Sequence, residues 1–354
     1  MKKNHNFFSN LSFNLAENNL GKTNMNPSVG CVIVKNNSII SSGITSFNGR
    51  PHAEFNALNK NINFEDSVMY VTLEPCSHHG LTPPCIQIIR KKKVKKVYYC
   101  YNDPDKRTYK KAKKLLRNVK KLNHLKIFKK DFYKSYILNK KFQFPLIDAK
   151  LAMSKDFFTI NRKSKWITNE RSRKVGHLLR SKYDCIISTS DSINKDNSLL
   201  NCRINGLNNY KPDLIIIDRN FKLKKNLKLL NICKFRKTYI FTINAENNKS
   251  IFFKKRNIKI IEIRSLSNIK DFKILFKKIF KIGKGRILVE TGLSFLNKLL
   301  KFKLINDLYI FKSKKNLKKN GYNNCDNNYI KRLKFNRAIN VNLNDDKLFK
   351  IRIK

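Results

Sequence analysis

Apolar residues along this chain alternate between helical spacing and short unbroken runs, the pattern of an α/β protein. Phe8, Leu11, Leu15 and Ala16 share one helical face and predict a helix over 7–19. The run from Val29 to Val34 predicts a buried strand, Asn36-Asn37 a turn, and 38–42 its hairpin partner. A short helix follows over 52–60 with Pro51 at its start, then a strand over 68–73, a helix over 84–91 and a strand over 97–101. A basic helix over 109–118 and a strand over 125–128 complete a mixed-sheet α/β sandwich.

The pattern changes at Phe144-Pro145, dividing a domain over 1–145 from another over 146–354. The second is again α/β, with strands over 146–153, 185–188, 213–218, 238–242, 258–263, 286–290 and 307–311 and one more near the C-terminus. Its helices are predicted over 170–182, 269–280 and 293–302. No internal repeat links the halves, and the Lys/Asn/Gly-rich stretch 314–328 is expected to be a mobile loop.

Composition changes this picture little. With 354 residues, 41% of them hydrophobic, the chain can build two ordinary cores. A net charge of +53 would suggest a nucleic-acid partner. The lysines, however, run from Lys2 to Lys354 alongside an excess of Asn and Ile, as drift toward A/T-rich codons produces, so no specific nucleic acid is expected. Eight cysteines in a chain this long do not read as a secreted disulfide scaffold. The opening residues lack a signal-peptide run, and no stretch approaches a membrane span, so a reduced, cytoplasmic enzyme without a membrane partner is expected. Cys31, Cys100, Cys185 and Cys202 lie in or beside apolar runs and read as core.

Candidate chemistry is concentrated in Pro51-His52-Ala53-Glu54 and in Glu74-Pro75-Cys76 with Cys85. A catalytic zinc takes three protein ligands and leaves its fourth position to water, and His52, Cys76 and Cys85 are the candidate ligands. Glu54, two residues past the histidine, can move a proton without binding the metal, as in the zinc deaminases. His52 and Cys85 both fall at predicted helix N-termini, where the dipole favours thiolate. His78 and His79 read as loop-shaping residues, because three ligands already fill a catalytic site.

Deaminases of nucleic acids place two residues between the thiols; here eight intervene, Ser77-His78-His79-Gly80-Leu81-Thr82-Pro83-Pro84. With Asn26-Pro27-Ser28-Val29-Gly30-Cys31-Val32-Ile33-Val34, this segment resembles the deaminase half of the RibD family of bifunctional riboflavin-biosynthesis enzymes. The resemblance implies a cytidine-deaminase-like fold and a small-molecule substrate, a diaminopyrimidinone carrying a phosphoribosylamino group. Asn26 and Asp103 would contact it. A zinc-activated water would attack, with Glu54 carrying its proton to the leaving amine.

In the second half, Val289-Glu290-Thr291-Gly292-Leu293-Ser294 predicts a strand, a turn and a helix start able to hold phosphate, whereas Gly283-Lys284-Gly285 precedes a strand and is no dinucleotide fingerprint. Lys150 to Asp156, Ser164 to Thr168, His177 to Arg180 and Val289 to Gly292 fall in the order of the family's reductase half. That half is similar to dihydrofolate reductase and implies hydride transfer from NADPH to carbon 1 of the opened ribose. The implied cofactor contacts are Ala152, Trp166, Ser192, Asp196, Gly292, Leu293, Ser294, Phe295, Leu296, Asn297 and Lys298. Ser164, Arg180, Leu200, Arg203 and Glu290 would hold substrate, the arginines pairing its phosphate, and a homo-oligomer is expected.

Several positions depart from the family pattern. Thr45 stands for a histidine, Leu81 for a basic residue and Asp105 for an asparagine. Phe157 replaces the glycine of an Asp-Gly pair, and Asn197-Ser198 replaces Asp-Pro. The alternatives are a deaminase of tRNA or another nucleobase, a family member with a degenerate reductase half, or a non-catalytic structural zinc or RNA-binding protein, for which a closed four-ligand zinc site would be needed.

Overall fold

In the computed structural model, which describes residues 2–123, 131–207, 212–246, 248–325 and 329–354, the first helix α1 (Lys2–Asn18) begins a turn before its apolar stripe. His5 extends it, its Nδ1 lying 2.8 Å from the Tyr70 hydroxyl and its ring 4.4 Å from that of Tyr98. The chain divides into two compact units, Met1–Phe144 and Pro145–Lys354.

In the first unit, β1 (Gly30–Lys35) and β2 (Ser38–Ile44) form a hairpin, with Asn36 and Asn37 both at positive φ as its turn requires. Then come α2 (Ala53–Leu58), β3 (Val68–Leu73), α3 (Cys85–Lys91), β4 (Lys96–Tyr101), α4 (Ala112–Leu115), β5 (Val119–Lys121) and α5 (Lys134–Phe142). The sheet order is β2-β1-β3-β4-β5, antiparallel as far as β3 and parallel beyond it. Alternating residues of β1 serve both faces. Cys31 and Ile33 join Phe13, Ala57 and Tyr133, while Val32 and Val34 join Phe8, Leu11 and Leu15. The basic helix expected over 109–118 shortens to α4. Its cap comes from far along the chain, the Glu74 carboxylate accepting the N–H groups of Lys110 and Ala112 at 3.0 and 3.1 Å. The strand expected over 125–128 lies outside the described residues.

The second unit runs β6 (Leu146–Met153), β7 (Phe158–Asn161), α6 (Glu170–Arg180), β8 (Cys185–Thr189), α7 (Ser190–Asp196), β9 (Asp213–Ile217), β10 (Thr238–Thr242) and α8 (Lys249–Lys254). It continues with β11 (Ile258–Glu262), α9 (Ile269–Lys281), β12 (Arg286–Val289), α10 (Leu293–Lys301), β13 (Asp307–Lys312), β14 (Gly321–Asn324) and β15 (Lys347–Arg352). Eight strands form one sheet in the order β11-β10-β9-β8-β12-β6-β13-β15, parallel except for the β13–β15 pair. The mobile loop expected over 314–328 is partly a strand. Its β14 pairs antiparallel with β7, and the Asp156 carboxylate accepts the N–H groups of Leu317 and Lys318. Glycine is required at 321, because a Cβ there would lie 2.3 Å from the Phe158 ring.

Candidate active sites in the two units

Gly43 sets the first site. A Cβ there would lie 2.3 Å from the Ala53 carbonyl oxygen, so the bare backbone of β2 lets the start of α2 pack down on it. His52 precedes that helix in extended conformation and Glu54 sits in its first turn. The chain leaving β3 delivers Cys76, and α3 opens on Cys85, whose N–H donates to the Cys76 sulfur at 3.2 Å. His52 Nδ1 lies 3.6 Å from Cys76 Sγ and 3.4 Å from Cys85 Sγ, and the three ligand atoms fall within 4.8 Å of one another. Zinc bonds of about 2.0 Å to nitrogen and about 2.3 Å to sulfur give a tetrahedral N···S edge of about 3.6 Å, so this donor triangle fits zinc.

The electrostatics suit proton transfer beside a thiolate site. The Cys85 thiol donates to Cys76 and, helped by His52, outweighs burial and brings Cys76 down to about 4. Hydrogen bonding to Cys76 raises His52 against its burial. Glu54 is buried, and that burial, reinforced by the negative Cys76, pushes its carboxyl up to about 7. A carboxyl in that range can both accept and return a proton near neutrality.

Around this centre, the side chains read as substrate contacts bond the protein itself. Asn26 Nδ2 donates to the Gly49 carbonyl at 3.1 Å. The Asp103 carboxylate accepts the Asp105 N–H and the Tyr136 hydroxyl at 2.9 and 3.1 Å. His78 pairs with Thr108 and His79 with Gln87, outside the donor triangle. The bracing role of Glu74 escaped the sequence reading: its carboxylate ties the segment that delivers Cys76 to the N–H groups of Asp103, Lys110 and Ala112.

In the second unit a cleft of about 290 Å³ opens beyond the carboxyl ends of β8, β9 and β12, where ligands of open α/β sheets bind. Ser192, Gly292, Ser294, Phe295 and Lys298 line it, whereas Leu293 and Leu296 point into the core. Ser192 Oγ accepts the Gly292 N–H at 2.9 Å and so couples α7 to the turn before α10. Ala152, Trp166, Asp196 and Asn297 lie outside this lining. Trp166 is half exposed, with the Arg173 guanidinium 4.7 Å from its ring, so it is not a core residue.

Arg180, Glu290, Arg203 and His177 gather in one cluster. Arg180 grips Glu290 with two hydrogen bonds of 2.6 and 2.9 Å, and Lys150 Nζ stands 3.7 Å from the same carboxylate. Burial pushes Glu290 up, but the charges of Arg180 and Lys150 prevail and hold it at about 2. Burial, then Arg180 and Arg203, takes His177 down to about 4, so its ring is neutral, with Nδ1 donating to the Asn201 carbonyl at 2.9 Å and Nε2 accepting from Arg203 at 3.1 Å. Arg203 is the exposed arginine of the pair. Leu200 is buried at positive φ, its carbonyl taken by Arg236 at 2.6 Å, and Ser164 bonds Trp166 N–H at 3.2 Å.

Residues 2–101 match the cytidine and deoxycytidylate deaminase zinc-binding region, and residues 145–315 match the RibD C-terminal domain. The riboflavin biosynthesis protein RibD of Buchnera aphidicola subsp. Baizongia pistaciae is 33% identical over 324 residues, 86% of each chain. The chain belongs to the RibD family. A second RibD relative, from Aquifex aeolicus, is 30% identical over 85% of this chain and 84% of its own. A solved RibD structure from Acinetobacter baumannii aligns with a TM-score of 0.81 at 25% identity over 99% of each chain. The Thermotoga maritima deaminase/reductase structure shares the fold at a TM-score of 0.83 and 24% identity, again over 99% of each chain. As in RibD, one chain joins a zinc-type deaminase to a reductase of riboflavin biosynthesis.

Four of the departures from the RibD pattern have local explanations. Thr45 is buried and its hydroxyl accepts the Val29 N–H at 2.9 Å, so it braces β1 where a histidine is expected. Asp105 binds Arg107 through two side-chain bonds and Lys140 through one, a set of charged partners that asparagine could not match. Phe157 adopts a φ of +67° in the place of glycine, its ring under the Lys312 ammonium at 4.3 Å. Asn197 takes the left-handed position that ends α7 at a φ of +45°, which asparagine tolerates.

Proposed function

We propose that the first unit hydrolyses an amino group from a diaminopyrimidinone carrying a phosphoribosylamino group. The second unit then passes a hydride from NADPH to carbon 1 of the opened ribose. The observation that carries this reading is the His52–Cys76–Cys85 triangle with the buried Glu54 beside it. Zinc held by those three residues would bring the pKa of a water in its open fourth position toward neutrality. Glu54 takes one proton from the attacking water and returns it to the departing amine, so the carboxylate is regenerated as ammonia leaves. Asn26 and Asp103 border the substrate in this reading, and Ser164, Arg180, Leu200, Arg203 and Glu290 hold it in the reductase, with Arg203, the more exposed arginine, facing phosphate.

NADPH would lie in the cleft with its pyrophosphate at the start of α10, contacting Ser192 and 292–298, while Ala152, Trp166 and Asp196 approach from outside the lining. Arg219 and Lys222, which the sequence reading passed over, line the cleft past β9. The neighbouring Asp218 carboxylate is taken by the N–H groups of Lys222 and Leu223, both at 2.8 Å. That end therefore offers cations to the extra phosphate of NADPH in place of a free carboxylate to a ribose hydroxyl. Arg219→Ser is expected to raise KM for NADPH by about tenfold, the loss of one charge-assisted hydrogen bond, without changing KM for NADH. Equal losses with both nucleotides would refute this placement. Assembly as a homo-oligomer and independence from nucleic acid complete the reading.

The test is to incubate the protein with the substrate, with and without NADPH, and to follow ammonia and NADPH. Zinc removal with a chelator should abolish ammonia release and zinc should restore it, while reduction of already deaminated substrate continues. Ammonia release that survives complete removal of the metal would exclude the triangle as the hydrolytic centre.

A further inference from the structure

We propose that Arg50 is the cation that receives the substrate's phosphate at the rim of the deaminase site, supplying from the metal-helix side the charge that the cysteine loop lacks at Leu81. The inference rests on the deaminase reading above. Arg50 stands two residues before His52, and its Nη1 donates to the Thr82 hydroxyl at 2.6 Å, three residues before Cys85. The guanidinium thus bridges the two segments that carry the donor triangle. Its Nη2 lies 3.5 Å from the point where a Cβ on Gly80 would sit, so it passes over open backbone in the loop. Leu81, between Gly80 and Thr82, is 89% exposed and contributes no charge.

Three other cations of this region are already engaged. Arg107 is bound by the Asp105 carboxylate at 3.0 and 2.7 Å, Lys140 by the same carboxylate at 2.9 Å, and Arg90 by the Leu115 carbonyl. Arg50 has a neutral hydroxyl as its partner and no carboxylate among the described residues. Its remaining N–H groups can therefore form the paired bonds that a guanidinium makes to phosphate.

The test compares ammonia release from the phosphorylated pyrimidine and from the same compound with its phosphate removed. In Arg50→Gln, KM for the phosphorylated compound should rise by about tenfold or more, with kcat and the phosphate-free reaction within about twofold of the parent. Adding Leu81→Arg to that variant should restore most of the loss by returning a cation from the loop. Thr82→Val removes the anchor but no charge and should keep the preference for the phosphorylated compound. The proposal is overturned if Arg50→Gln weakens both reactions equally or if Thr82→Val reproduces its effect, since Arg50 would then only brace the loop. Ammonia release by the parent tests the underlying reading separately, and the ratio between the two compounds tests Arg50.

Discussion

Glu54→Gln is expected to lower ammonia release by roughly 10²–10⁴-fold while one zinc per chain is retained. The substitution preserves shape and removes the one function that the site asks of this residue, carrying a proton between water and amine. Proton transfer is a step of turnover, so the loss appears in kcat more than in substrate affinity. The reductase unit folds its own sheet, so NADPH-dependent reduction of the deaminated compound should continue unchanged in the variant. Metal analysis decides between roles: zinc lost with the substitution would make Glu54 a ligand, and turnover kept would remove it as the proton carrier.

The triangle was legible because its chemistry is local. His-x-Glu at a helix start and Glu-Pro-Cys at a strand end each announce themselves within a few residues, and the fold brings them together. Most strands of both sheets were legible for a similar reason: runs such as Leu214 to Ile217 are apolar throughout, as parallel strands covered on both faces must be. What escaped depends on partners far away. Glu74 caps a segment thirty-odd residues on, which shortened the expected basic helix to α4. The lysines of α5 blur its periodicity, and Tyr133 and Tyr136 seat that end of the chain in the core. Gly321 and Phe158 fit each other across β14 and β7, a match that no local pattern in 314–328 announces. Arg219 likewise gains meaning from a cleft that three separate strands enclose.

Arg180→Met should destabilise the reductase unit by ~3–5 kcal/mol, because it leaves Glu290 buried with Lys150 as its remaining charged neighbour. The pH dependence should change with it. Glu290 sits at about 2 in the fold, and an unfolded glutamate titrates near about 4.3. A depressed folded value stabilises above the unfolded pKa, and the contribution is lost as pH falls through the window toward the folded one. The parent should therefore lose stability between about pH 4.3 and about pH 2 through this group, and Arg180→Met should show a shallower acid slope there. Chemical denaturation across pH, followed by reductase-unit fluorescence from Trp166, reads both effects. Replacing the pair together, with Arg180→Met and Glu290→Leu, should recover much of the stability, since two well-packed apolar side chains avoid the desolvation of both charges. Reductase turnover should not return with it if Glu290 holds substrate. Stability and turnover recovering together would make the pair purely structural, and neither recovering would mean that Lys150 needs Glu290 to stay charged in the site.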